Sequence, residues 1–212
     1  MQIRDSARVG AVSCATASRP LVAAWTETAE YGRLLQVAAV LFFAALIAAA
    51  AQVSLPLPWT PVPLTLQPTI VLLSAAVLGS RLGTACLAVY LAAGAAGLPV
   101  FAWSPWLVPG VGRFLGPTGG YLLAYPVAAY LVGSLAERGL DRRYMTAVGA
   151  MVIGLAVIYL GGVAWLAVLH APLGTPGAAV TLGVYPFFFA DLAKLMVAGA
   201  LLPGLRRFTT GR

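Results

Sequence analysis

In the segment FFFADLAKLM (187–196) an aspartate and a lysine stand three residues apart in an otherwise apolar run. Asp191 is the one carboxylate inside any long apolar stretch of the chain, and Lys194 is its only lysine. Residues three apart share a helix face, so the two side chains can meet one cavity or each other. A charge near the middle of a bilayer costs at least about 2.5–3.5 kcal/mol, and such groups are usually kept for a partner or a ligand. Two readings stay open. One is an internal ion pair whose ammonium reaches for the interface. The other is a ligand site in which Asp191 accepts N–H groups and Lys194 donates to a carbonyl. Arg113, in GVGRFLGPTGG, is a third unusual charge in a long loop. It is either a solvated loop residue or a clamp for an anion, because its planar fork suits a carboxylate. Trp59, Phe101, Trp103, Trp106, Tyr121, Tyr185 and Phe187 to Phe189 crowd the same region, as an interface belt or as pocket walls. The set suits a small amphipathic anion with hydrogen-bond donors of its own.

The elements that must position these groups are membrane helices. The chain is 61% hydrophobic and 9% charged, with a mean hydropathy of +0.92. A soluble domain carries roughly 25% charged residues, so this chain needs lipid as its solvent. The net charge of +7 comes as single or paired basic residues. In a membrane protein these set topology, and they argue against nucleic-acid binding.

Six stretches have the roughly 17–25 residues a spanning helix needs: 34–51, 64–80, 82–98, 119–136, 145–169 and 185–203. Pro63 and Pro68 interrupt the second, which is expected to enter as an extended or broken segment. Arg4, Arg8, Arg19 and Arg33 lie before the first stretch, Arg81 between the second and third, Arg138, Arg142 and Arg143 between the fourth and fifth, and Arg206, Arg207 and Arg212 after the sixth. These alternate regions share one side, which the positive-inside rule makes cytoplasmic. The expected fold is thus an all-α integral membrane protein with six transmembrane helices and both termini cytoplasmic. Its long outer loops are 52–63, 99–118 and 170–184, rich in Pro, Gly and Trp, where function concentrates. Residues 1–33 read as a cytoplasmic tail ending in a short interfacial segment around Trp25, 34–204 as the membrane domain, and 205–212 as a second tail. The sixth stretch runs inward from Tyr185, which puts Asp191 and Lys194 about 9 and 14 Å below its start.

Several chemistries have no footing. The single lysine lacks the glycine pattern of a phosphate loop, so the chain has no ATPase of its own. One histidine, His170, cannot anchor a zinc site, and no nucleophile–base set supports an intramembrane hydrolase. Neither an enzymatic role nor a metal or organic cofactor is expected. Cys14 and Cys86 do not read as a disulfide framework. In the first stretch, Ala44 with Ala48 and Ala45 with Ala49 form small-xxx-small pairs, which serve internal packing or docking of another helix.

The segments PVPLTLQ (61–67), LGSRLG (78–83), YLAAGAAGLPVFA (90–102), LGPTGGYLLAYP (115–126) and ADLAKL (190–195) resemble those of the BioY family, the biotin-binding S-components of energy-coupling-factor (ECF) transporters. The resemblance covers about residues 34–204, and GLPVF followed by GPTGGYL is specific in combination. It implies a six-helix protein of a prokaryotic cytoplasmic membrane that binds biotin as substrate from the outer side, with no cofactor. It implies partners as well: a transmembrane coupling protein and two ATP-binding-cassette ATPases, docked on the alanine surface carried by Ala44, Ala45, Ala48 and Ala49. It assigns Asp191 and Lys194 as biotin ligands, with Arg113, Thr65, Gln67 and Tyr90 as further site residues. Which cation holds the carboxylate of biotin is left open. So is the choice between ATPase-driven toppling of the subunit and action alone, as an oligomer. The alternatives are an S-component for another vitamin and a solitary, passive transporter. The tryptophan-rich insert 103–112 and the long N-terminal tail depart from the family pattern.

Overall fold

The computed structural model describes residues 20–22, 31–103, 109–169 and 175–210. Most of the N-terminal tail, Trp25, the centre of the tryptophan-rich loop and His170 lie outside these. The helices are α1 (Gly32–Gln52), α2 (Gln67–Ala95), α3 (Gly112–Leu115), α4 (Gly119–Glu137), α5 (Tyr144–Leu169), α6 (Pro176–Gly183) and α7 (Tyr185–Thr210), with a 3-10 turn at Leu140–Arg142. Beside them lies one two-residue ribbon, β1 (Ser54–Leu55) antiparallel to β2 (Leu64–Thr65), with Ser54 opposite Thr65.

Among the described residues five helices, α1, α2, α4, α5 and α7, are long and apolar enough to cross a membrane. Helices suit such sequences because a backbone in hydrocarbon must satisfy its own hydrogen bonds. Their outward faces stay apolar: Phe42, Leu160, Val168, Phe189 and Val197 are all exposed. Side chains of this kind pointing outward all round a bundle mark a lipid-facing surface.

Six stretches were expected where five helices are found, and α2 explains the difference. Gly79 breaks it at φ 83°, ψ 179°, a conformation only glycine adopts cheaply. Across the break the chain reverses. Gln67 Nε2 donates to Tyr90 Oη at 3.0 Å, whereas 23 residues of straight helix would separate them by about 35 Å. A Cβ on Gly83 would lie 3.2 Å from Ala75 Cα. The segments 67–78 and 80–95 therefore lie antiparallel against each other. Glu137, at the end of α4, accepts from the Ser80 amide at 2.7 Å and from its hydroxyl at 2.9 Å. That carboxylate satisfies an amide which the new helix start leaves without an intrahelical partner. The first half begins at Gln67 rather than at 64, with β2 extended before it. Pro68 opens this helix instead of interrupting it, since a first-turn proline sacrifices no hydrogen bond.

The long loops meet at the opposite end of the bundle. Gln52 Nε2 donates to the carbonyls of Pro99 (3.1 Å) and Phe101 (3.2 Å). Thr60 Oγ1 donates to Leu182 O at 2.7 Å, and Tyr121 Oη to Gly183 O at 2.9 Å. These bonds tie 52–66, 99–103 and 175–184 into one roof.

Candidate functional site

Under that roof lies a partly open cavity, about 610 Å³ with the space of its mouth counted. Thr65 and Gln67 form one wall, Phe101 and Arg113 a second, Tyr121 and Tyr125 of α4 a third. Tyr159 of α5 and Phe187 and Asp191 of α7 close it.

Its acidic pole is Asp191, only 4% exposed. Oδ2 accepts from Tyr159 Oη at 2.8 Å and Oδ1 from Lys194 Nζ at 2.9 Å. The same ammonium donates to the Thr65 carbonyl at 2.9 Å. Lys194 thus fastens α7 to the end of the β-ribbon, and it stands behind the cavity wall rather than in it. The ion pair of the first reading forms, and its carboxylate also lines the cavity.

The basic pole is Arg113, 5% exposed. Among the described residues its guanidinium has no hydrogen bond and no carboxylate partner. Burial pulls its pKa below the ordinary guanidinium value, and the Coulombic influence of Tyr90 opposes this. Arg113 is therefore a buried cation and not the solvated loop residue that was one alternative. It sits on the single turn of α3, between the positive-φ Gly110 and Gly116. Trp165 Nε1 anchors this loop by donating to Gly116 O at 3.0 Å. Tyr90, 1% exposed, accepts from Gln67 and donates to Val100 O at 3.0 Å. It does not line the cavity; it holds Gln67 and the 99–103 loop from behind. Phe101 stacks edge-to-face between Tyr90 (5.6 Å) and Phe114 (5.7 Å). A side chain on Gly94 would occupy the position of the Phe101 ring.

Of the residues singled out from sequence, Asp191, Arg113, Gln67 and Thr65 line one cavity, while Lys194 and Tyr90 stand one layer back. Tyr159, Tyr125, Ile158 and Thr118 also line it and were not foreseen. The signals existed: Tyr159 is a hydroxyl inside the apolar run AVIYLGG, and Thr118 belongs to GPTGG. The aromatic group divides. Phe101, Tyr121 and Phe187 are walls, whereas Trp59, Trp103, Tyr185 and Phe189 are exposed. The alanine pairs divide too, with Ala44 and Ala48 packed half-buried on the core and Ala45 and Ala49 facing out. No cluster of three potential metal ligands occurs among the described residues.

The BioY family matches residues 22–211. The chain is 41% identical over 170 residues to the biotin transporter BioY of Thermotoga maritima, covering 80% of this chain and 95% of that protein. It is 41% identical over 163 residues to the probable biotin transporter BioY of Pyrococcus horikoshii, covering 77% and 91%. Its fold matches the crystal structure of the S-component for biotin from an ECF-type ABC transporter, with a TM-score of 0.74 at 22% identity over 85% of this chain and 95% of that one. A cavity built by the family's own segments, on a shared fold and with close relatives along most of the sequence, identifies the chain as a multi-pass membrane protein of the BioY family.

Proposed function

We propose that this chain binds biotin on the outer side of a prokaryotic cytoplasmic membrane and delivers it inward as the substrate-binding subunit of an ECF-type transporter. One observation carries the reading: the cavity holds a carboxylate already paired with lysine and a guanidinium that has no carboxylate partner among the described residues. Burying an unpaired cation is costly, and an anionic ligand removes the cost. Biotin offers matching parts. Its ureido N–H groups meet Asp191, its apolar thiophane ring meets Tyr125, Ile158 and Phe187, and its carboxylate meets Arg113. Gln67 and Thr65 line the site, while Lys194 and Tyr90 hold the residues that do.

A six-crossing topology with cytoplasmic termini, spanning 34–204 between two tails, fits this role. The reversal at Gly79 supports it. A transmembrane coupling protein and two ATPases would dock on the outward face of α1, a reading supported by the exposure of Ala45 and Ala49 and by the low burial of that helix, 17%.

Titration of purified protein with biotin tests the binding role. Wild type should bind tightly. Asp191→Asn and Arg113→Gln, both folded, should each lose at least about tenfold in affinity, the worth of one charged hydrogen bond. Folded wild type that ignores biotin would refute the proposal.

A further inference from the structure

Among the described residues, the two carboxylates at the Gly79 end of the bundle are turned inward. Glu137 spends its carboxylate on the amide and hydroxyl of Ser80, and Asp141 is buried. The guanidiniums at this end are turned outward. Arg33, Arg81, Arg138, Arg142 and Arg143 are all exposed, and none of them makes an ion pair or a side-chain hydrogen bond among the described residues.

The five share one level. Cys86 Sγ donates to Val40 O at 3.4 Å, which sets α1 and the second half of α2 side by side. Gln52, at the far end of α1, bonds to the Pro99 carbonyl just past α2, so the two helices run the same way. Arg33 precedes Val40 by seven residues and Arg81 precedes Cys86 by five, hence roughly 10 and 8 Å towards the same end. The bond from the Ser80 amide to Glu137 brings the end of α4, with Arg138, to the turn that carries Arg81. The 3-10 turn Leu140–Arg142 then continues along this rim to Arg143.

That level is the one lipid phosphates occupy. Immediately past the arginines the surface turns apolar: Leu34 and Leu35 follow Arg33, Met145 follows Arg143, and all three are exposed. Tyr31, exposed beside Arg33, is the kind of amphipathic side chain that sits among headgroups. The planar fork of a guanidinium matches phosphate oxygens. A cation held at an anionic leaflet gains roughly fivefold in affinity. An acidic protein surface would match the charge, but not the apolar border that runs on into the lipid-facing flank of α5.

We infer that these five arginines form a collar that binds the phosphodiester headgroups of anionic phospholipids in the inner leaflet and seats the subunit with its cavity outward. The inference rests on the orientation proposed above for its side of the membrane, and not on biotin. It goes beyond the setting of topology during insertion: the folded protein keeps a preference among lipids, and turning the subunit over has to break those contacts.

The test titrates purified protein in a neutral detergent with phosphatidylglycerol and with phosphatidylcholine, reading bound lipid by native mass spectrometry and the melting temperature in parallel. Wild type should bind phosphatidylglycerol at least about tenfold more tightly and melt higher with it. Raising the salt from about 0.1 to 1 M, which shortens the Debye length from about 10 to 3 Å, should remove most of the preference. Arg142→Gln/Arg143→Gln should lose at least about fivefold of it, and Arg142→Lys/Arg143→Lys should keep most of it. Inorganic phosphate should not stabilise the protein in the same way. Biotin affinity should be the same in all variants, since none of the arginines lines the cavity. No lipid preference in wild type, a preference that the glutamine variant retains, or equal stabilisation by inorganic phosphate overturns the inference. If the glutamine variant does not fold, the salt dependence of wild type decides. A retained preference with biotin uptake lost assigns the arginines to a protein partner instead. Lipid preference in a wild type that ignores biotin would sink the proposed function and leave the collar standing.

Discussion

Replacing Lys194 with methionine keeps the length and apolar stem of the side chain and removes its charge. Two hydrogen bonds go with it, those to Asp191 Oδ1 and Thr65 O, each 2.9 Å in the native protein. Asp191 keeps only Tyr159 and stays 5% exposed, whereas Lys194 is 23% exposed. Breaking a fully buried pair costs about 3–5 kcal/mol; the partial exposure of the lysine reduces this to about 2–4 kcal/mol. For a chain of this size that corresponds to a fall in melting temperature of about 5–15 °C. The companion variant is Asp191→Asn/Lys194→Met. With no charge left to compensate, it should recover most of the lost stability, and differential scanning fluorimetry in detergent would read this directly. Biotin affinity should separate from stability. The double variant should melt near wild type and still bind poorly, because the acceptor for the ureido N–H groups is gone. A wild-type melting temperature for Lys194→Met would refute the pairing argument, and a double variant that recovers both stability and affinity would remove Asp191 from the ligand site.

Three further outcomes follow from the geometry. Tyr159→Phe removes one of the two groups that orient Asp191 and should weaken biotin binding several-fold in a titration, with a stability loss of about 1.5–3 kcal/mol. Gly79→Ala places a Cβ at φ 83° against Pro20 and Glu137 and should cost about 1–3 kcal/mol or more, read as a lower melting temperature with biotin affinity preserved in the folded fraction. Ala45→Trp and Ala49→Trp, on the outward face of α1, should leave biotin binding intact and abolish uptake in cells that depend on the transporter, because they obstruct close helix approach.

Charges inside an apolar run are visible in one dimension, which is why Asp191, Lys194 and Arg113 could be picked out before any fold was known. Their roles were not visible. Whether a lysine lines a cavity or stands behind its wall depends on where a backbone carbonyl 129 residues away comes to rest, here that of Thr65. Tyr159 passed unnoticed because a tyrosine in a membrane helix is cheap and common; only the packing of α5 against α7 turns it toward Asp191. LGSRLG read as a link between two apolar stretches, and the chain turns within it at Gly79. That the reversal rests on one glycine, with Glu137 supplying the acceptor for the next helix, requires α4 to be in place. The arginine pattern gives an expected alternation of sides that does not depend on exact boundaries, which is also why it could not say that the first half of α2 begins at Gln67. Ala44 to Ala49 were legible as small residues and not as two faces, since the rotation of α1 is set by the hairpin it packs on.

Every long element that walls the cavity continues past it into side chains with almost no solvent contact. On α2 these are Val71 and Leu72, on α4 Ala128 and Val132, on α5 Met151 and Leu155, and on α7 Leu195 and Leu202. Among the described residues the one ionised side chain on these elements between Asp191 and the Glu137–Asp141 end of the bundle is Lys194, which turns back to Asp191 and the Thr65 carbonyl. The cavity is therefore a cup with a thick insulating base rather than a tube. At rest such a body is a dielectric barrier: it gives protons and small ions no wire to follow, so an idle copy does not discharge the membrane it sits in. Cargo cannot trickle through it either. Under the proposed uptake role, delivery would then require the cup itself to change which side it faces.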